Sequence, residues 1–369
     1  MKIGLNGTCF NERPSGAKQR FLGIYSQLFY LMPNDMFVIY EPSDCRVSEW
    51  FDAPNVKSIK TPIPSEGRLK KYIFGINFWK SSLLKENFDI FESFNQPIIK
   101  SPKGRTIQTI HDIRSLSVSK SKLINLLSKY THTRSIQKAD QVLTVSSSMR
   151  EEILDFFPNA KVSYIYNGIN RKIFQNLSCD DLDKVKKDFH LPQRFILSVG
   201  HFEQRKNYIN LVKSIKLLKD NGKNYNLVII GNDNGEKKNL EKLIQKYNLS
   251  SNIYLFSGLS DLEVISMYSL CSLFAFASKY EGFGIPVLEA MAAKKPMILS
   301  NLPVFKEITQ NQASFFDPES VNSIASSIDE AMKNIEIFKE FNSNHENRIS
   351  DFDFYNLAQQ MKDLYYSLI

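Results

Sequence analysis

Short apolar runs rich in Val, Ile and Phe recur along this chain, each followed by a longer segment with helical spacing, and that alternation admits few folds. KIGLN, FVIY, FDIFES, TIQTIHD, QVLTVS and VSYIYNG occupy the first half. RFILSVG, NLVIIG, NIYLFSG, SLFAFAS, PMILSN and ASFFDP form a second series. Strands that are apolar throughout need cover on both faces, and alternation with helices supplies it, so the pattern predicts βαβ units around parallel sheets. At 369 residues the chain exceeds what one core usually supports. Two open α/β domains in succession are therefore expected, over residues 1–172 and 190–352, with polar residues 173–189 as the linker. In the tail, Phe354, Leu357, Met361, Leu364 and Tyr365 fall at helical spacing, which predicts an amphipathic closing helix over 353–369.

Composition removes several classes. No run of about 18 apolar residues is present to span a bilayer, and the N-terminus enters a strand directly, without the basic and apolar regions of a secretory signal. A cytosolic protein is the expectation. The four cysteines stand singly, with no zinc-ligand spacing, so free thiols and no structural metal are expected. Of the net charge of +8, all lies in residues 1–170, where 23 Lys and Arg face 15 Asp and Glu. The remaining residues hold 24 of each, by subtraction from totals of 47 and 39. No nucleic-acid module accompanies this modest excess, so no nucleic-acid partner is expected. An NAD-dependent oxidoreductase would need a glycine fingerprint after the first strand, and the chain has none.

The most informative segment is SKYEGFGIPVLEAMAAKKPMILSN, residues 278–301, where a strand breaks into a helix through Gly282, Gly284 and Pro286. Glycines there let the backbone approach a ligand, and the amides of Phe283, Gly284 and Ile285, at the positive end of a helix, suit an anion. Glu281 on the turn and Glu289 on the helix are hydrogen-bond acceptors suited to sugar hydroxyls. A solvated turn residue and a glutamate that merely complements a helix dipole are the plain alternatives. A second segment, SVGHFEQRKNYINL, ends a strand at Gly200 and sets Arg205 and Lys206 immediately before a helix starting near Asn207. Two cations there oppose the helix dipole, which suggests an anion beside them, with a solvated basic pair as the plain alternative.

The glutamate pair in the context EGFGIPVLEAMA, with Arg205-Lys206-Asn207 upstream, resembles the signature of the family-4 glycosyltransferases, also called glycosyl transferases group 1. The resemblance implies an α/β chain of the GT-B fold. In that fold two Rossmann-like domains face each other across a cleft, and a C-terminal helix crosses back to the N-terminal domain. It implies that Glu281 contacts the donor sugar, that Glu289 holds the nucleotide ribose, and that Arg205 and Lys206 grip the donor diphosphate. The loop GTCFNERPSGAKQR resembles the family's glycine-containing loop after the first strand. Ser15 and Gly16 would there form part of an anion cradle, with Ala17 beside them and Lys18 and Arg20 adding charge. Where the family often has two adjacent glycines, this chain has Ser15 before Gly16. His111, followed by Asp112 at a strand end, matches a family histidine that projects toward the transferred sugar, with a structural histidine as the plain alternative. Ser146, Asn167 and Gly168 are read as scaffold, a cap and a turn.

The resemblance further implies a retaining transfer of mannose or a similar hexose from a nucleoside-diphosphate sugar to a saccharide or lipid-linked saccharide, in bacterial surface polysaccharide synthesis. No cofactor or metal is expected: the cations replace it, and Asp181 with Asp183, Asp233, and Asp351 with Asp353 lie away from strand ends in the site. Base contacts are assigned to the backbone near Gly258, Leu259 and Ser260. A non-catalytic nucleotide-sugar-binding subunit is the alternative, disfavoured by the intact charged set. Lys57, Lys60, Arg68, Lys70, Lys71, Lys80 and Lys85 interleave with Tyr72, Phe74, Phe78 and Trp79. That pattern suits docking at an anionic membrane face, with a polar loop and an ordinary half-buried helix as the alternative.

Overall fold

The computed structural model describes residues 1–94, 98–117, 122–336 and 345–369. The chain forms two compact units, Met1–Gly168 with Phe352–Ile369, and Ile169–Asp351.

In the first unit β1 (Lys2–Asn6), β2 (Met36–Glu41), β3 (Val56–Lys60), β4 (Ile90–Ser93), β5 (Arg105–Ile110), β6 (Gln141–Thr144) and β7 (Val162–Tyr164) pair in parallel, in the order β3-β2-β1-β4-β5-β6-β7. Ile3 stands opposite Phe37 on one side and Ile90 on the other, and all three are fully buried. The chain winds outward from β1 to β3 and returns to the other side of β1 as β4. Where the winding reverses, the carboxyl ends of neighbouring strands diverge and leave a crevice. β3 is a strand the apolar pattern does not announce, because it is an edge strand with Lys57, Ser58 and Lys60 exposed. Lysines on an edge discourage pairing with a further strand.

The second unit repeats the plan with β8 (Ile196–Val199), β9 (Leu227–Ile230), β10 (Ile253–Phe256), β11 (Leu273–Phe276), β12 (Met297–Ser300) and β13 (Ser314–Phe316), ordered β10-β9-β8-β11-β12-β13 and again parallel. Its central strands are buried at every residue of LFAF in β11 and at Leu227, Val228 and Ile229 of β9. This burial is why they read as continuous apolar runs. The winding reverses between β8 and β11, which pair through Ile196 with Leu273 and Leu197 with Phe274.

Residues 173–189 are not a linker. They hold the end of a short helix, Lys172–Gln175, and a longer one, Cys179–Asp188, within the second unit. Ser178 and Asp181 form a reciprocal capping box there, and Val185 is buried. The polar residues that suggested a linker are cap residues and the solvent face of an amphipathic helix. The division between units falls at Gly168–Ile169 instead.

The closing helix, Phe354–Ser367, packs on the helix Gly16–Leu31 in the first unit. Leu357, Met361 and Tyr365 face inward, as their spacing requires. Tyr365 and Tyr25 both donate to Oε2 of the fully buried Glu92 at 2.6 Å, and Thr109 donates to its other oxygen at 2.5 Å. Three hydroxyls thus replace the water a buried carboxylate has lost. Gly23 and Gly168 make room for the ring of Phe354, since a Cβ on either would fall 2.1 Å or 2.4 Å from it. Gly23→Ala should therefore lower stability by about 1–3 kcal/mol through overpacking, although alanine is the better helix former. Thermal melts of Gly23→Ala with and without Phe354→Leu check this, because the smaller side chain should recover part of the loss.

Candidate active site

Arg205 and Lys206 follow β8, and Glu281 follows β11, so the reversal of winding brings sequence positions far apart to one strand edge. After β8 the backbone turns at Gly200, with φ +150°. A Cβ there would lie 2.8 Å from Cε of Lys206, so the glycine leaves the space the lysine side chain fills. Gln204–Lys206 make one 3-10 turn, Asn207 takes the left-handed conformation at φ 59°, and the helix Tyr208–Asp220 begins. The hydroxyl of Tyr208 donates to the carbonyl of Gly200 at 2.7 Å, tying helix to strand end.

The basic pair is not solvated. Nζ of Lys206 lies 2.7 Å from Oε1 of Glu281, and Nη1 of Arg205 lies 2.6 Å from Oε2. Only 7% of the Lys206 side chain and 9% of the Glu281 side chain are exposed, so these charges are held in a low-dielectric setting. Ser278 Oγ donates to Oε1 of Glu281 at 2.8 Å, and the Lys206 ammonium sits 4.6 Å from the centroid of the Phe276 ring. On its other side Nη2 of Arg205 meets Oε1 of Glu203 at 2.7 Å. Burial alone would raise the Glu281 pKa; the Lys206 and Arg205 charges, with their hydrogen bonds, outweigh it and hold the value at about 2. Burial draws the Lys206 ammonium below its ordinary value while Glu281 opposes that pull. Glu281 is ionised throughout the physiological range.

Gly284, with φ +116°, caps the helix Ile285–Ala292, and a Cβ on it would fall 2.7 Å from the ring of Phe305. Phe283 is buried, Ile285 is the first helical residue and Pro286 the second. Glu289, one turn on, accepts a hydrogen bond from the Tyr268 hydroxyl at 2.7 Å. Burial raises the Glu289 pKa, with the Tyr268 hydrogen bond and the Lys206 charge acting against that rise. Gly258, Leu259 and Ser260 form the loop after β10. Ser260 caps the helix Asp261–Leu270 that carries Tyr268, and the Gly258 amide donates to Oδ1 of Asn232 at 3.1 Å.

In the first unit, Ser15 caps the helix that Gly16 opens, its Oγ accepting from the Lys18 amide at 3.1 Å. Neither nearby cation is an open charge, contrary to the sequence expectation. Lys18 lies over the Trp50 ring at 4.1 Å and pairs with Glu12 at 3.2 Å. Arg20 is buried, donating to the carbonyls of Ile165 and Tyr166 and to the Asn167 side chain, so it pins the chain after β7. Ser146 caps Ser147–Phe156 through the Met149 amide. His111 follows β5 at a strand's carboxyl end. Burial and the Arg20 charge push its imidazole well below the ordinary histidine range, so it is neutral at pH 7.

Sequence reasoning missed Glu203, Ser278 and Tyr268. Glu203 and Ser278 sit two and three residues before Arg205 and Glu281, and reading each charged residue with its local neighbours would have found them. Tyr268 gives no such signal, since it meets Glu289 from another helix. Among the described residues, no group of three or more His, Cys, Asp or Glu is placed to hold a metal ion.

Comparison with known proteins agrees with this architecture. The model for glycosyl transferases group 1 matches residues 180–348, and that for Glycosyltransferase Family 4 matches residues 37–172. The O-antigen chain mannosyltransferase RfbU of Salmonella typhimurium is 29% identical over 261 residues, 70% of this chain and 68% of that protein. The O-antigen biosynthesis glycosyltransferase WclY of Escherichia coli is 28% identical over 329 residues, 88% of this chain and 87% of that one. Among solved structures, Anabaena HepE in complex with UDP and glucose superposes with a TM-score of 0.76 at 15% identity, covering 100% of this chain and 99% of that chain. With two parallel α/β sheets, an arginine, a lysine and a glutamate joined where β8 and β11 diverge, and family models matching both halves, the chain belongs to the family-4 glycosyltransferases of the GT-B fold.

Proposed function

We propose that this glycosyltransferase moves a hexose, mannose first among the candidates, from a nucleoside-diphosphate sugar to a hydroxyl of a saccharide acceptor in O-antigen assembly, with retention of anomeric configuration. The observation that carries the proposal is the buried Lys206–Glu281–Arg205 cluster. RfbU, named for mannose transfer to the O-antigen chain, supports the sugar and the pathway class. HepE, solved with UDP and glucose, supports a nucleoside-diphosphate donor.

In this reading Arg205 and Lys206 bind the donor diphosphate and offset the charge that grows on it as the bond to the sugar's anomeric carbon breaks. Fixed cations in a poorly solvated site do this without reorganising during the reaction, so no metal is required. Glu281, ionised and locked between them, accepts hydrogen bonds from sugar hydroxyls with its remaining lone pairs. Glu289, oriented by Tyr268, does the same for the ribose, and the backbone at Leu259 meets the base. Ser15 and Gly16, with the helix start behind them, help order the donor phosphate and the acceptor. The acceptor oxygen forms its bond to the anomeric carbon on the face the phosphate leaves. Its proton passes to the departing phosphate oxygen, so no second carboxylate base is needed. His111, neutral, is a hydrogen-bonding partner of the transferred sugar rather than a cation.

Membrane contact belongs to the same proposal. On the helix Arg68–Lys85, Leu69, Tyr72, Ile73, Phe74 and Ile76 are exposed beside exposed Lys70 and Lys80, while Trp79 and Leu83 are buried and Phe78 is half-buried. The side chains of Arg68 and Lys85 lie outside the described ones. Among the described residues, no helix is long and apolar enough to cross a membrane. An exposed apolar face with flanking lysines suits the interface of an anionic bilayer, where a lipid-linked acceptor would be found.

A thermal-shift panel of GDP-mannose, UDP-glucose and dTDP-rhamnose should show stabilisation by one donor, and the same donor should be slowly hydrolysed. Lys206→Met should weaken that donor at least about tenfold, the loss of one charge-assisted contact to phosphate. Stabilisation by none of a broad panel would sink the assignment. Co-sedimentation with phosphatidylglycerol vesicles should exceed that with phosphatidylcholine and fall in Ile73→Asp; equal binding to both vesicle types would remove the membrane contact.

A further inference from the structure

Four ionic side chains alternate in sign along the edge after β8 and β11: Glu203, Arg205, Glu281 and Lys206, with successive contacts of 2.7, 2.6 and 2.7 Å, the first two through the Arg205 guanidinium and the last two through the Glu281 carboxylate. Their formal charges cancel. Glu281 already serves Lys206 and one terminal nitrogen of Arg205, so Glu203 is a second counter-charge placed on the other. It is well shielded, with 14% of its side chain exposed, and its remaining oxygen lies 3.4 Å from Nδ2 of Asn234 in the loop after β9. Another nearby cation, Lys279, is itself paired with Glu319 at 2.6 Å. A site built only for tight anion capture would have no use for a second carboxylate on its guanidinium.

We infer that Glu203 is a positioning residue that sets the plane of the Arg205 guanidinium and offsets its charge, so that the nucleoside diphosphate left after transfer is held loosely enough to depart. The inference rests on the donor assignment proposed above. A guanidinium bonded through both terminal nitrogens to two carboxylates has its orientation determined before any ligand arrives, which reduces the ordering cost of binding. The same carboxylate repels the diphosphate from a few ångströms beyond the arginine. At that distance, in partly buried surroundings, one charge changes affinity by about an order of magnitude. Orientation is thereby gained without the tight product binding that an uncompensated pair of cations would impose.

Glu203→Gln preserves shape and an oxygen that accepts from Arg205 but removes the charge; Glu203→Asp keeps the charge. Titration calorimetry with UDP, GDP and dTDP, repeated over a series of salt concentrations, distinguishes the roles. The nucleotide that binds wild-type protein should bind Glu203→Gln about tenfold more tightly, dissociate more slowly and show a steeper salt dependence, while Glu203→Asp stays at wild-type affinity. A purely structural glutamate would give weaker binding when replaced. Unchanged or weakened binding in Glu203→Gln, or tightening in Glu203→Asp, would therefore overturn the inference. Failure of wild-type protein to bind any of the three nucleotides would overturn the donor assignment and this inference together.

Discussion

The shared carboxylate of Glu281 is the interaction that holds the charged cluster of the second unit together. Two cations with about nine-tenths and three-quarters of their side chains out of solvent would repel one another, and burial draws the Lys206 ammonium toward its neutral form. A single glutamate between them, steadied by Ser278, keeps both charged and fixes their directions. That arrangement exists because β8 and β11 are neighbours, although 75 residues separate Lys206 from Glu281. The glycine after β8 matters for the same reason, since it leaves the volume that the lysine stem occupies.

A second buried carboxylate, Glu92 in the first unit, is handled by different means. Three hydroxyls from Tyr25, Thr109 and Tyr365 satisfy it, and the guanidinium of Arg20 contributes only at longer range. Hydroxyl donors leave the local charge nearly fixed and serve to pin the closing helix to the sheet through its last turns. Direct ion pairing, as at Glu281, instead offsets the carboxylate's charge and fixes the direction of both cations. The same kind of side chain is thus held by hydroxyls in one unit and by two cations in the other, and the difference lies in its partners.

Placement also separates residues that look alike in sequence. Lys18 and Arg20 follow a glycine-containing loop, as Arg205 and Lys206 follow Gly200, yet one covers Trp50 and the other is sealed against backbone carbonyls after β7. Their helix begins with a conventional serine cap, so its first turn is stabilised from within. By contrast the helix at Tyr208 is entered through a left-handed Asn207 with no side-chain cap, and Asn207 instead bonds the carbonyl of Pro318. The turn carrying the cations is shaped by contacts to other strand ends rather than by helix capping.

Much of this was legible in the residues themselves. Apolar runs such as SLFAFAS and NLVIIG announce strands because burial on both faces leaves no room for polar alternation, and Phe354, Leu357, Met361 and Tyr365 announce the closing helix because only one face of it is covered. Arg205, Lys206, Glu281 and Glu289 could be selected because their neighbours impose a recognisable turn and helix start. The edge strand Val56–Lys60 and the helix Cys179–Asp188 were hidden, since a solvent-facing element carries polar residues that also suit loops. What only the tertiary structure decided was partnership: that Glu281 joins Lys206 and Arg205, that Tyr268 orients Glu289, that Glu203 takes the far side of Arg205, and that Arg20 is structural. Local sequence determines backbone conformation over a few residues, whereas the ionisation and direction of a buried charge depend on groups that chain winding brings alongside from far away.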